Sequence, residues 1–227
     1  MGESQGGHNL KLKYLILILA VLVVGLSVMP AHADTVIPVQ NASFETFNPL
    51  TISCLGTGCA YNTGPIPGWS QTGVGGSWQP SSTFYPLPLP DGSIVAFSNG
   101  GTISQTISGV SLLPDSTYTL SVFVGHRLDN YPANFSIGLD AGGISLGTLT
   151  GNNGGFNKGT WVDEIFTFTT GATVTPGDLS IVLASDGTQI DFDNVQLSVA
   201  SVPEPNSASL LFVGLGALTA LALLKRR

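Results

Sequence analysis

Alternation of apolar and polar residues is the feature of this sequence that most restricts its fold. Apolar side chains occupy every second position from Tyr118 to Val124, and the same spacing recurs at Phe135, Ile137 and Leu139. Successive side chains of a β-strand point to opposite faces, so this period predicts strands with one buried face and one solvated face. No convincing amphipathic helix interrupts residues 34–199. The spacing therefore predicts an all-β domain.

Ten segments rich in Val, Ile, Phe and Thr, bounded by Gly, Asn, Asp or Pro, are predicted strands. They are Val36–Val39, Ser43–Phe47, Ser93–Ser98, Thr102–Ser108, Thr117–Val124, Phe135–Asp140, Ile144–Thr150, Trp161–Thr169, Leu179–Ala184 and Ile190–Val199. This number of short strands favours a two-sheet β-sandwich or jelly roll. The Pro- and Gly-rich residues Asn48–Pro90 are predicted to form long loops with one or two short strands.

The last predicted strand contains one irregularity. Ile190 and Phe192 are in phase with each other, whereas the apolar residues from Val195 to Val199 take the opposite phase. This slip predicts a β-bulge at Asp193 and Asn194, which would place a carboxylate and an amide at an irregular point of the sheet.

The first 33 residues are predicted to be a secretory signal peptide. Lys11 and Lys13 precede the apolar run Tyr14–Val28, and the small-residue triplet Ala31–Ala33 follows. This pattern predicts cleavage before Asp34 and export across the inner membrane. An uncleaved N-terminal anchor is the alternative.

The C-terminal segment Ser201–Arg227 has three parts in order. It contains the sorting motif, then the uncharged run Ala208–Leu224, and finally the basic triplet Lys225–Arg227. The motif consists of Val202, Pro203, Glu204 and Pro205. Seventeen uncharged residues are at the short end of what spans a bilayer as a helix, and the basic end would stay cytoplasmic.

These three parts together resemble the PEP-CTERM sorting signal. The resemblance implies that an exosortase-type membrane protease cuts near the motif. The body, about residues 34–200, would then be anchored only transiently before it reaches the cell surface or extracellular matrix. A permanent C-terminal anchor is the alternative.

Charge restricts the partners of the body. Only Arg127 and Lys158 remain between Asp34 and Pro205, against thirteen acidic side chains, which gives a net charge of −11. Nucleic-acid binding needs clustered cations and is therefore excluded. Acidic membranes and polysaccharides are poor direct partners unless a divalent cation bridges them.

The two cysteines, Cys54 and Cys59, lie in a glycine-rich loop. In an exported chain this spacing predicts a local disulfide that closes a short loop. No other Cys or His lies nearby, which argues against a metal site there.

Three short motifs resemble those of galactose-binding-like β-sandwiches, a group that includes many carbohydrate-binding modules. They are Asn41–Glu45, Pro67–Trp69 and Asp191–Leu197. The resemblance implies a jelly-roll fold in which the first and last strands share a structural calcium ion. Carried over by position, Glu45 and Asp193 are its candidate carboxylate ligands, which suits the preference of calcium for oxygen.

Candidate ligand-binding residues form the densest polar cluster of a body that is poor in charge. Arg127 could donate bidentate hydrogen bonds, and Tyr131 could stack on a sugar face. The alternative is an ion pair between Arg127 and Asp129 that only fixes the loop. Trp78 and Tyr85, in the Pro-rich segment, are further candidates for a sugar platform.

No catalytic motif is evident in the body. His126 is its one histidine, no Gly-x-Ser-x-Gly elbow is present, and the neighbours Asp163 and Glu164 would point to opposite faces of a strand. The sequence therefore predicts a non-enzymatic surface or matrix protein that binds a glycan or exopolysaccharide. A purely structural matrix protein and a glycosidase- or esterase-like enzyme are the alternatives.

Overall fold

The structure is a computed structural model that describes residues 34–202 apart from residues 55, 87, 130 and 131. The described residues contain thirteen β-strands and one short 3-10 turn, Asn153–Gly155. The strands are β1 (Thr35–Ile37), β2 (Ile52–Cys54), β3 (Cys59–Tyr61), β4 (Ser70–Gln71), β5 (Gly75–Gln79), β6 (Val95–Ser98), β7 (Gly101–Ser111), β8 (Ser116–His126), β9 (Asn134–Ala141), β10 (Ile144–Asn152), β11 (Thr160–Thr169), β12 (Asp178–Ser185) and β13 (Ile190–Ser201). The predicted all-β fold is confirmed.

Two antiparallel sheets form a β-sandwich. Sheet A has the order β11-β8-β13-β6-β5-β3-β2, with β1 added beside β13. Sheet B has the order β10-β9-β12-β7-β4. The last strand, β13, therefore lies in the middle of sheet A, between β8 on one side and β6 and β1 on the other.

The core lies between the sheets and follows the alternation seen in the sequence. Leu120, Val122 and Val124 of β8 face inward with Leu139 of β9 and Ile181 of β12, and all five are fully buried. Their polar neighbours on the same strands lie on the outer faces, as period two requires.

A second apolar cluster lies on the outer face of sheet A. Trp78 and Phe97, on β5 and β6, pack there with Phe84 and Tyr85 from the connection between these strands. The Pro-rich segment thus covers part of this face instead of forming free loops. It also contains four short strands, β2 to β5, more than the one or two expected from the sequence.

The predicted strand Ser43–Phe47 is wrong. These residues form a turn and irregular backbone, with positive φ angles at Asn41 (49°) and Phe44 (60°). Left-handed backbone cannot continue a strand. The predicted bulge in β13 is confirmed, because the pairing with β8 shifts between Asp193 and Gln196 and Asn194 takes a φ of 46°.

The predicted disulfide between Cys54 and Cys59 is confirmed. It joins the ends of β2 and β3, and Cys59 packs into the outer cluster. The predicted signal peptide, the residues Pro203, Glu204 and Pro205 of the sorting motif, and the predicted membrane helix Ala208–Leu224 lie outside the described residues. No helix in the part of the chain that the structure describes is long and apolar enough to cross a membrane.

Candidate active site

One row of residues across sheet A places the carboxyl group of Asp191 next to Gly125, a position without a side chain. Gly125 of β8 lies opposite Trp161 of β11 on one side and Asp191 of β13 on the other. Asp191 in turn lies opposite Phe97 of β6. Because Phe192 faces the core, Asp191 faces outward, under the cover of the Pro-rich segment.

Asp191 is a buried acid with two hydrogen-bond donors. The residue is 1% exposed. Tyr85 donates its hydroxyl proton to Oδ2 at 2.7 Å, and Gln189 donates from Nε2 to Oδ1 at 2.7 Å. Burial raises the pKa of Asp191 to about 6, although both hydrogen bonds favour the ionised form.

Aromatic rings pack around Tyr85, the residue that donates to this acid. The ring centroids of Tyr85 and Trp161 are 4.6 Å apart, and those of Trp78 and Phe84 are 5.3 Å apart. The absence of a side chain at Gly125 leaves room for the Tyr85 hydroxyl, because a Cβ atom there would collide with it. Burial, reinforced by the charge of the neighbouring Asp191, raises the pKa of Tyr85 well above its usual value.

Arg127 forms the outer layer of the site. Its guanidinium lies 4.8 Å from the ring centroid of Trp78 and 4.7 Å from that of Phe84. It donates two hydrogen bonds to the Asp129 carboxylate, at 2.9 and 2.8 Å, and a third to Oε1 of Gln189 at 2.7 Å.

The structure therefore brings together four residues that the sequence proposed for ligand binding, namely Trp78, Tyr85, Arg127 and Asp129. They do not form an open platform, since Trp78 and Tyr85 are buried. The ion pair between Arg127 and Asp129, which the sequence offered as the alternative to ligand binding, is present. Tyr131, the fifth proposed residue, lies outside the described residues.

Asp191, Gln189 and Phe84 are members of the site that sequence reasoning missed. The sequence held one indication of the position of Asp191. It lies between Ile190 and Phe192, which were assigned to the core, so its side chain must point to the opposite face of the strand. Its burial on the outer face depends on the cover supplied by Tyr85, which is 106 positions away in sequence.

His126 ends β8 and is buried. Its Nδ1 lies 3.1 Å from the carbonyl oxygen of Phe156, and its Nε2 has no hydrogen-bond partner within the described residues. The histidine thus lies at the end of a strand, as the sequence indicated.

Glu45 and Asp193, the predicted calcium ligands, both hold the segment between residues 90 and 95. Oε1 of Glu45 accepts hydrogen bonds from the backbone N–H groups of Ser93 and Ile94, each at 2.7 Å. Oδ2 of Asp193 accepts from the N–H of Asp91 at 3.0 Å. No group of three or more His, Cys, Asp or Glu side chains in the described ranges is arranged to hold a metal ion. The fit of Glu45 and Asp193 to a cation is therefore incomplete, because both carboxylates already accept hydrogen bonds from backbone N–H groups.

Two surface cavities lie away from this acid. One of about 430 Å³ is lined by Gly109–Leu113, Ile37, Tyr118 and Val199. The other, of about 320 Å³, is lined by residues of β1, β8 and β13 around Asn194 and by Pro38, Val39 and Ala42. Neither is lined by Asp191 or Tyr85, and both of these residues are buried, so the aromatic site is closed in this structure.

A family model decides what kind of protein this site belongs to. The model described as HpiC1-like, for HpiC1 cyclase, matches residues 35–198, which is the whole sandwich. The chain belongs to the HpiC1-like cyclase family. A search of curated proteins found no match.

Solved cyclases share the fold. An apo cyclase from Fischerella sp. superposes with a TM-score of 0.60 at 23% identity, over 75% of this chain and 98% of that one. A cyclase from Fischerella sp. TAU in complex with 4-(1H-indol-3-yl)butan-2-one gives 0.60 at 24% identity, over 75% and 100%. The Stig cyclase Fisc from the same organism, in complex with (3Z)-3-(1-methyl-2-pyrrolidinylidene)-3H-indole, gives 0.59 at 24% identity, over 74% and 99%.

Family membership overturns two predictions from the sequence. The prediction that the protein is not an enzyme is wrong, and so is the predicted function of a non-enzymatic glycan- or exopolysaccharide-binding protein. Those predictions rested on the absence of catalytic motifs built from a nucleophile and a base. A single buried carboxyl group leaves no such motif in a sequence, because its burial arises from contacts with residues that are distant in the sequence.

Proposed function

We propose that this chain is a cyclase whose reaction takes place at the carboxyl group of Asp191. The observation that carries this proposal is the hydrogen-bonded pair of Asp191 and Tyr85 inside a wall of aromatic side chains. Family membership supports the reaction class. A buried carboxyl group with a pKa near 6 can hold a proton at neutral pH more readily than a solvated one.

The chemistry that such a group supports is an isomerising ring closure. The carboxyl proton adds to one carbon of a double bond in the substrate, and a second unsaturated carbon of the same molecule attacks the resulting cation. One carbon–carbon bond forms, and a proton lost from the ring returns to the carboxylate. The product is an isomer of the substrate, so no oxidant, reductant or co-reactant is needed. Aromatic faces stabilise a passing cation electrostatically.

The proposed substrate is a flat aromatic molecule of the indole type with an unsaturated side chain. Two of the Fischerella cyclases are described in complex with indole compounds. In this chain, Tyr85 packs against the ring of Trp161, and movement of Tyr85 would free the face of Trp161 to stack on a flat ring.

Access to Asp191 requires that part of the cover moves. Tyr85 fills the gap beside the acid, and Arg127 closes the outer side. The segment from Ser81 to Tyr85 is held to the β8–β9 connection by the hydrogen bond from Leu128 N–H to the Phe84 carbonyl. We propose that this segment moves to open the site, because the strands beneath it are held by their interstrand hydrogen bonds.

The test uses the full chain and a panel of indoles with alkenyl side chains. Liquid chromatography with mass spectrometry should detect a product of unchanged mass and altered retention. Asp191→Asn should lower kcat by about a hundredfold or more, whereas the exposed Asp163→Asn, which also removes one acid from sheet A, should leave it unchanged. Full activity of the Asp191 variant would refute the proposed role.

Two structural details accompany this proposal. The galactose-binding-like jelly roll is a finer assignment than the sandwich, and its support is the pairing of the first strand β1 with the last strand β13. Structural calcium at Glu45 and Asp193 stays a prediction carried by the sequence resemblance.

Location and sorting stay proposals as well. The signal-like start and the PEP-CTERM-like end support export and transient membrane attachment. They also support an encounter with an exosortase-type protease before the protein reaches the cell surface or matrix. The intact mass of the native protein tests this, since export and sorting predict a chain that begins at Asp34 and ends between Val202 and Pro205.

A further inference from the structure

A directed chain of hydrogen bonds leads from the surface to the buried acid. The exposed carboxylate of Asp129 accepts from Arg127, Arg127 donates to Oε1 of Gln189, and Gln189 donates to Oδ1 of Asp191. The two inner contacts are both 2.7 Å long. Two side chains that follow β8, Arg127 and Asp129, are thus connected in series with Gln189, just before β13, and Asp191 at its start.

Arg127 fixes the direction of this series of hydrogen bonds. A guanidinium has only donors, so the Gln189 atom that it contacts must be the amide oxygen. The amide nitrogen of Gln189 must then face Asp191. Oδ1 of Asp191 therefore always meets a donor, and Oδ2 is the oxygen left to face the Tyr85 hydroxyl.

Arg127 itself is held on three sides. Trp78 and Phe84 lie against its guanidinium, and Asp129 takes two parallel hydrogen bonds. The Arg127 side chain is 17% exposed, against 47% for Asp129. Stacking and a bidentate pair fix both the position and the plane of the group, which a lysine could not reproduce.

We propose that Arg127, acting through Gln189, is a positioning residue for the cyclase reaction. It fixes the Gln189 amide so that Oδ1 of Asp191 faces a donor, and Oδ2 is the oxygen that faces the substrate once Tyr85 has moved. This inference rests on the proposed function of Asp191. It assigns no contact with substrate to Arg127 or Gln189.

The test is a double-mutant cycle on the full chain. Arg127→Met and Gln189→Met should each lower kcat about tenfold to a hundredfold with KM changed less than threefold, because orientation of the acid is lost while the aromatic wall remains. The double variant should be no worse than either single variant, since both act through one chain. Lys158→Met removes the other cation of the body from an exposed position and should behave like the wild type.

A spectroscopic readout separates this inference from the proposed function. The side-chain amide resonances of Gln189 should shift in Arg127→Met and not in Lys158→Met. Unshifted resonances, or kcat at the wild-type level while Asp191→Asn is inactive, would overturn the positioning role. Asp191→Asn could instead keep full activity while the Gln189 resonances do shift in Arg127→Met. The proposed function would then fail, and the series of hydrogen bonds would have no role in catalysis.

Discussion

The hydroxyl group of Tyr85 occupies the space that Gly125 leaves open on the outer face of β8. A Cβ atom at residue 125 would collide with that hydroxyl and would lie 3.0 Å from Cη2 of Trp161. Tyr85 can therefore reach Oδ2 of Asp191 only because the strand has no side chain at this point. One glycine in a strand thus decides the geometry of the candidate active site.

Gly125→Ala should destabilise the protein and displace Tyr85. Overpacking of a closed site costs about 1–3 kcal/mol of unfolding free energy, and urea denaturation measures it. Gly171→Ala is the matched control, because a Cβ atom there would meet nothing within 4 Å. Equal midpoints for the two variants would show that the cover over Asp191 is loose.

Removal of the disulfide should have a modest effect. Cys54 and Cys59 are separated by five positions, and closing so short a loop contributes about 2 kcal/mol in the chain-entropy description. The double variant Cys54→Ala/Cys59→Ala should lose about this much in urea denaturation. Wild-type protein treated with a reductant should match it. A loss of more than about twice this value would mean that Cys59 contributes chiefly by packing in the outer cluster.

The fold was predictable because it depends on local patterns. Period two in residues such as Leu120, Val122 and Val124 fixes which face of each strand is buried, and the phase slip located the bulge at Asp193 and Asn194. The turn at Asn41–Phe44 was missed because an apolar, aromatic segment resembles a strand until its positive φ angles are known.

The candidate site was only partly predictable because its parts come from distant segments. The sequence selected Arg127 and Asp129 from one polar cluster, and Trp78 and Tyr85 as aromatic residues of the Pro-rich segment. The structure brings the two pairs together. Their common centre, Asp191, was not selected for chemistry. Its burial arises only when the Pro-rich segment folds over sheet A, which no local pattern in β13 reveals.

The predicted calcium ion has a direct test. If calcium binds at Glu45 and Asp193, millimolar calcium should raise the Tm of chelator-treated protein at pH 8, because the ion would neutralise neighbouring carboxylates. Glu45→Gln should abolish the increase, and magnesium should not reproduce it. An unchanged Tm would show that the backbone amides of Asp91, Ser93 and Ile94 are sufficient partners.

The pH dependence of stability should reveal the buried acids. Burial raises the pKa of Asp191 to about 6 and that of Asp193 to about 7, and in the unfolded chain both return to the ordinary range near 4. A carboxyl group whose pKa is raised by folding stabilises the protein fully below its unfolded pKa. That stability is lost as the pH rises through its folded pKa. Unfolding free energy should therefore fall between about pH 4 and pH 7, on the order of 3 kcal/mol for Asp191 at 1.36 kcal/mol per pKa unit.

Urea denaturation at a series of pH values, with a chelator present, measures this fall. Asp191→Asn should remove its share of the slope between about pH 4 and pH 6, because an amide does not titrate. Asp163→Asn should keep the wild-type slope, since it removes an exposed acid of the same sheet and leaves Asp191 in place. A wild-type slope that survives in the Asp191 variant would mean that the acid is reached by water, and the closed aromatic site would then be open in solution.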